Sequence, residues 1–152
     1  MITIQREAWA QVAEDVSQIY CTEHAPEVAH FLDKRRPLLR LDLYNYLAET
    51  ESLDVLTVRE GPTLIGYHIT PVIYDMNFAE VLTGHVLQYW LRQAYRGQRL
   101  GLRLFTAAEA SLKQRGVQFI TSGVKSDRPY AALFRRLGWQ ETEMLFAKWI
   151  GD

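Results

Sequence analysis

Apolar residues recur along the chain with two different periods, and the points where the period changes divide it into elements. Ile2 and Ile4 alternate with polar neighbours, as a short edge strand does. Trp9, Val12, Ala13, Val16, Ile19 and Tyr20 fall at helical spacing, which predicts a first helix from about Arg6 to Tyr20. Cys21 to His30 reads as a loop passing Pro26. Leu39, Leu43, Tyr46 and Leu47 then predict a second amphipathic helix over Leu38 to Ala48, just after Lys34-Arg35-Arg36 and Pro37. Beyond Glu51-Ser52 the period drops to two. Leu53 to Arg59 and Leu64 to Tyr74 predict a hairpin around Glu60-Gly61-Pro62-Thr63, with Pro71 suggesting a bulge or an edge.

Asp75 to Glu80 reads as a loop and Val81 to Leu91 as a third long strand. Leu100, Leu104, Phe105, Ala108 and Leu112 mark a helix from about Arg99 to Arg115, closed by Gly116 in the capping place. Val117 to Gly123 is a strand. Ser126 or Asp127 can cap a further helix, with Pro129 in its first turn and Gly138 as its stop. Glu141 to Ile150, with Met144, Phe146 and Trp149, predicts a last strand. The order is β-α-α-β-β-β-α-β-α-β, a mixed α/β single domain over residues 1–152 without repeats or linkers.

Composition changes this picture little. With 152 residues, 48% hydrophobic, the chain can bury a real core, and a net charge of -1 gives nucleic acid or a membrane surface no global attraction. A single cysteine, Cys21, excludes an intramolecular disulfide and a thiolate metal cluster. No apolar run approaches a membrane span of roughly 20 residues. Arg6 is followed by Glu7 and then Glu14-Asp15, unlike a signal peptide, so a cytoplasmic soluble protein is expected. The charge is segregated, however. Residues 1–91 carry 6 basic and 13 acidic side chains (-7) and residues 92–152 carry 11 and 5 (+6). A basic half suits an anionic cofactor and an acidic half a cationic acceptor; chance segregation is the alternative.

The candidate chemistry begins at Leu91 to Gly101. A strand turning through glycines and arginines into a helix start can hold phosphate, because the first-turn N–H groups lack helical partners and the macrodipole adds partial positive charge. Gly97 and Gly101 allow close backbone approach, while Arg96, Arg99 and Arg103 add charge.

Tyr95-Arg96-Gly97-Gln98-Arg99-Leu100-Gly101, followed by Leu104-Phe105, resembles the pyrophosphate motif of the GNAT superfamily of acetyl-CoA-dependent N-acetyltransferases. Ala131-Ala132-Leu133-Phe134-Arg135-Arg136-Leu137-Gly138-Trp139 is similar to the family's Ala-x-x-Leu-Tyr-x-x-x-Gly-Phe segment. The resemblance covers about residues 50–150, and short members of this layout also occur in tailed phages. It implies a mostly antiparallel mixed sheet of about six strands with helices on both faces. Three departures stand out. Arg99 occupies the motif's middle glycine, Phe134 occupies the place of a tyrosine that often protonates the leaving thiolate, and about twelve residues after Gly138 leave room for one final strand.

The resemblance implies direct acetyl transfer from acetyl-CoA to an amine, which needs a base for the ammonium, a donor for the oxyanion and a proton for the leaving group. It implies an oxyanion donor in the main-chain N–H of Leu91 or Trp90. Leu91, Arg92 and Gln93 would hold the pantetheine arm, and Arg96, Gly97, Gln98, Arg99, Leu100, Gly101 and Leu102 the pyrophosphate. His85 is the preferred base, since it falls where some protein-lysine acetyltransferases of the family place a glutamate, and imidazole titrates near neutrality. Glu80, acting through water, is a second candidate, and a strand histidine satisfied by a neighbour is the structural alternative. Tyr130, one turn before Phe134, is the candidate acid. Gln88 and Tyr89 can orient a water.

Other candidates are weaker. Cys21 has no His/Asp pattern around it, and His24 and His30 beside Glu23 and Glu27 lack a third metal-ligand signal, so no metal is expected. The favoured acceptor is a protein lysine or other macromolecular amine, with a partner-engaging, non-catalytic GNAT module as the alternative and a nucleobase amine disfavoured by net charge. Tyr44-Asn45-Tyr46 borders the acceptor in the resembled family. Tyr89-Trp90 or the last strand could pair across a homodimer.

Overall fold

The computed structural model describes residues 1–28, 35–125 and 130–151, in which the two apolar periods settle into a single sheet with helices on both faces. The strands are β1 (Ile2–Arg6), β2 (Leu53–Glu60), β3 (Thr63–Tyr74), β4 (Leu82–Val86), β5 (Gln88–Leu91) and β6 (Phe119–Ser122). The helices are α1 (Trp9–Ile19), α2 (Ala25–Val28), α3 (Leu41–Glu49), α4 (Leu100–Gln114) and α5 (Ala131–Arg136). The sheet order is β1-β2-β3-β4-β6, with β5 paired to β3. Every pairing is antiparallel except that of β4 with β6.

Leu53 through Val58 are buried without interruption, because β2 is covered on both faces. Val55, Tyr67, Ile69 and Trp90 pack against Trp9, Val12, Val16, Ile19 and Tyr44 of α1 and α3. Leu56, Val58 and Ile65 pack against Leu100, Leu104 and Ala108 of α4 on the other face. Burying each such side chain stabilises the fold by about 1.5–3 kcal/mol, so the helical stripes read from sequence are what clamp the sheet.

Three expectations are corrected. The third long strand is broken at Leu87 into β4 and β5. The expected loop after Tyr20 is instead helical, passing through a π-helical turn at Tyr20–His24 into α2. Its extra residue turns His24 inward, where Nδ1 lies 2.7 Å from the Tyr67 hydroxyl. The last strand is absent: residues 140–150 carry no regular structure, and Phe146 and Ile150 are each 90% exposed. Strand composition alone cannot form a strand without a paired edge, and none of the described strands pairs with this segment. His30, Lys34, Ser126, Asp127 and Pro129 lie outside the described residues; the residue preceding α5 is Tyr130.

Candidate active site

The site begins where two strands part. β4 and β6 pair from Thr83↔Phe119 to Val86↔Ser122, and the chain then gains one residue. Leu87 N–H donates to the Ile69 carbonyl at 3.0 Å, while Gln88 is also opposite Ile69, a bulge that carries β5 along β3 alone. Arg92 N–H donates to Ile65, so strand alternation turns the N–H and C=O of Gln88 and Trp90 toward β3. Those of Tyr89 and Leu91 face the opposite edge, which no described strand covers. Of the two backbone donors expected, Leu91 N–H therefore faces the opening, and Trp90 N–H belongs to the ladder. The Tyr89 hydroxyl spans the gap, donating to the Gly123 carbonyl at 3.0 Å.

Beyond Leu91 the chain makes a 3-10 turn (Gln93–Tyr95) and enters α4. Gly97 has φ +89° and Arg99, the residue preceding α4, φ +57°. The left-handed conformation at Arg99 is where a glycine costs least, which explains the family motif's preference and makes the arginine a strained exception. Among the described residues no side chain caps α4, and Arg103 N–H already donates to the Arg99 carbonyl. The N–H groups of Leu100, Gly101 and Leu102 are thus left without helical acceptors. A Cβ at Gly97 would meet no atom within 4 Å, so the turn is uncrowded at that point. Arg99, Gln98 and Gln93 are exposed at the mouth, and the Leu100 side chain is anchored in the core beneath.

Arg96, expected at the pyrophosphate, and Arg92, expected at the pantetheine arm, have their guanidinium groups committed elsewhere. Arg96 makes a bidentate pair with Glu27 (2.6 and 2.7 Å) and donates from Nε to the Leu91 carbonyl at 2.8 Å. Arg92 makes a second bidentate pair with Glu23 (2.8 and 3.1 Å). Arg115 pairs with the fully buried Asp54 at 3.3 Å, where Asp54 also accepts from Ser111. Three ion pairs therefore join the acidic first half of the chain to its basic second half. The matched spacing of Glu23 with Glu27 and of Arg92 with Arg96 was the sequence signal for these pairs. Arg99 and Arg103, both exposed, remain as cations at the α4 N-terminus.

Phe134 is a packing residue. Its ring centroid lies 5.1 Å from Phe105, 5.0 Å from Trp139 and 6.0 Å from Tyr89, in one aromatic cluster joining α4, α5 and β5. Tyr130, one turn earlier, is 39% exposed and sits beside Arg96 and in electrostatic contact with Tyr89. Burial, with Tyr130 nearby, pushes the Tyr89 hydroxyl up to about 12, so it keeps its proton at neutral pH.

His85 lies exposed on β4, its Nδ1 2.7 Å from the Thr121 hydroxyl. Gly84 and Val86 are buried, and a Cβ at Gly84 would approach Leu112 of α4, so His85 points to the opposite face. After the bulge, Gln88 and Trp90 occupy that same face: Gln88 donates to the Tyr44 hydroxyl at 2.6 Å and Trp90 joins the α1–α3 core. Glu80 is exposed in the loop before β4. Burial holds His24 down at about 4 and Tyr67 takes its Nδ1, which makes it a core histidine.

The sequence model of the acetyltransferase (GNAT) family matches residues 13–139. The chain belongs to the GNAT family. No match is found among curated proteins. The GNAT fold extends over nearly the whole chain in solved structures of low sequence identity. An aminoglycoside acetyltransferase from an uncultured soil metagenomic sample, solved with trehalose, aligns with TM-score 0.76 and 16% identity over 99% of this chain and 97% of its own. A putative acetyl transferase from Pyrococcus furiosus aligns with TM-score 0.75 and 18% identity over 99% and 100%. A predicted acetyltransferase from Clostridium acetobutylicum, solved with acetyl-CoA, gives TM-score 0.71 and 12% identity over 97% and 96%.

This GNAT domain is an acetyl-CoA-dependent N-acetyltransferase. Its residues fit that cosubstrate: an uncovered strand edge at Tyr89 and Leu91 leads to three amides without helical acceptors, flanked by Arg99 and Arg103. Among the described residues, no helix is long and apolar enough to cross a membrane.

Proposed function

We propose that the chain moves acetyl from acetyl-CoA to a primary amine by direct attack, with a protein lysine or other macromolecular amine as acceptor. The observation that carries this reading is the uncovered β5 edge, set between an exposed histidine and the uncapped N-terminus of α4. Acetyl-CoA supplies an electrophilic thioester carbonyl. Leu91 N–H donates along the edge to the bound acyl and pantetheine portion, and the Leu100–Leu102 amides with the Arg99 and Arg103 guanidinium groups hold the phosphates. His85 removes the proton from the incoming ammonium at Nε2, while Nδ1–H donates to Thr121. Tyr130 returns a proton to the leaving group.

The macromolecular acceptor rests on His85 lying exposed on an open sheet face, within reach of a long, flexible side chain. Titration calorimetry with acetyl-CoA tests the first claim; absence of binding up to about 1 mM, the upper range of ordinary KM values, overturns it. Mass spectrometry of a host lysate incubated with enzyme and acetyl-CoA tests the second, with sisomicin, the ligand of one structural neighbour, as a competing small amine. Acetyl-lysine that disappears with His85→Ala supports the reading. Acetylation of small amines alone overturns it.

A further inference from the structure

Glu27 lies on the short helix α2, outside the acetyltransferase motif, yet three donors of the β5–α4 region converge on it. Its Oε1 accepts from Arg96 Nη1 at 2.6 Å, and its Oε2 accepts from Arg96 Nη2 at 2.7 Å and Trp90 Nε1 at 3.1 Å. The third nitrogen of the same guanidinium, Nε, donates to the Leu91 carbonyl at 2.8 Å. The cation also sits 5.9 Å from the Trp90 ring centroid, and His24 stacks on the indole at 5.9 Å. A bidentate carboxylate fixes the plane of a guanidinium, and a fixed plane fixes the direction of its remaining N–H.

We propose that Glu27 is a positioning residue for acetyl transfer, acting through Arg96 to hold the Leu91 end of the uncovered β5 edge. This rests on the reading of that edge as the acetyl-CoA strand. Leu91 presents both its N–H and its C=O to the opening, and the Arg96 bond adds an open-side restraint at this carbonyl to the ladder bonds that hold the strand from β3. On the other side the β3 ladder holds the flanking peptide, Arg92 N–H donating to the Ile65 carbonyl at 2.9 Å, and among the described residues no strand adds a bond on the open side. Among the described residues β5 pairs with β3 alone, so the Arg96 side chain supplies at one carbonyl the open-side bond that a neighbouring strand would make. The adjacent Arg92–Glu23 pair supplies an internal control. It joins the same helical segment to the same turn, but the Arg92 guanidinium hydrogen-bonds only Glu23 among the described residues.

The test compares Glu27→Gln, Glu23→Gln and wild type. In the ligand-free protein, the Arg96 Nε–H resonance is expected to be protected from exchange in wild type and Glu23→Gln and to lose protection in Glu27→Gln. With acetyl-CoA and poly-L-lysine, Glu27→Gln is expected to lower kcat about tenfold, in the range that small misplacements of reacting groups produce. CoA affinity by calorimetry is expected to change less than about threefold, because the α4 amides and Arg99 are untouched. Glu27→Gln/Arg96→Met is expected to lose no more than either single variant, since the two act as one unit. Should Glu27→Gln fail to fold, Glu27→Asp keeps the charge on a shorter arm and is read the same way. Retained Nε–H protection in the Glu27 variant, additive losses in the double variant, or an equal kcat loss in Glu23→Gln each overturn the proposal. A wild-type protein that binds no CoA overturns the underlying reading of the edge instead, and the resonance still reports whether Glu27 orients Arg96.

Discussion

His85 and Trp90 project from the same face of the sheet although one stands at an odd position and the other at an even one. In an unbroken strand they would point to opposite faces. The extra residue at Leu87, opposite Ile69 together with Gln88, shifts the alternation by one and turns Gln88 and Trp90 to the face His85 occupies. The bulge thus assembles the proposed base and the α1–α3 wall on one side, and leaves Tyr89 and the α4 cradle on the other.

If His85 is the base, His85→Ala lowers kcat at neutral pH by about 10²-fold, the lower range for general-base removal. CoA affinity is expected to stay unchanged. Full activity from pH 6 to 9 takes His85 out of the mechanism.

Gly66 faces Leu91 across the β3–β5 pair, where a Cβ would lie 2.4 Å from Leu91 Cδ2 and 2.7 Å from the Trp90 carbonyl oxygen. Gly66→Ala must push β5 away from β3, at an overpacking cost of about 1–3 kcal/mol. A lowered thermal midpoint with a larger fractional loss of acetyl transfer than of folded protein is expected. A variant with wild-type midpoint and rate shows that β5 yields freely.

Arg99 combines a left-handed backbone with an exposed cation at the α4 N-terminus. Arg99→Gly relieves strain of about 1–2 kcal/mol but loses a similar amount to the freedom of glycine in the unfolded chain, so little net change in stability is expected. CoA affinity is expected to fall about three- to tenfold, with a shallower salt dependence, as one phosphate contact is lost. An unchanged affinity in low salt excludes that contact.

Burial holds His24 and His68 neutral, down at about 4 and about 3 respectively. As pH falls through about 6.5 the unfolded chain binds protons that these residues refuse, so stability declines from there toward pH 4. Each group contributes about 2 kcal/mol of loss by pH 5. Glu7 adds a later decline. Its hydrogen bonds from Arg59 chiefly hold it at about 2, so its contribution is complete above its ordinary value near 4.5 and fades as pH drops below that. Urea midpoints from pH 8 to 3 read the curve, and a flat midpoint from pH 7 to 5 contradicts it.

Helices α1, α3 and α4 and strands β2 and β3 were legible in the sequence because their apolar periods are set by one burial environment each. The loop expected after Tyr20 became helix because burial of Ala25 and the His24–Tyr67 contact, remote in sequence, outweigh the turn composition around Pro26. The last strand failed in the opposite sense, with the right composition and no described pairing edge.

Local periodicity and motif spacing by themselves determined the family and the layered α/β architecture, since each depends on neighbours within a few residues. Only the tertiary structure decided which arginines pair with carboxylates, which backbone N–H faces the opening, and that His85 shares a face with Trp90. Those depend on ion pairs between distant halves of the chain and on one extra residue at Leu87, and a one-residue shift leaves the apolar pattern unchanged while reversing every side chain beyond it.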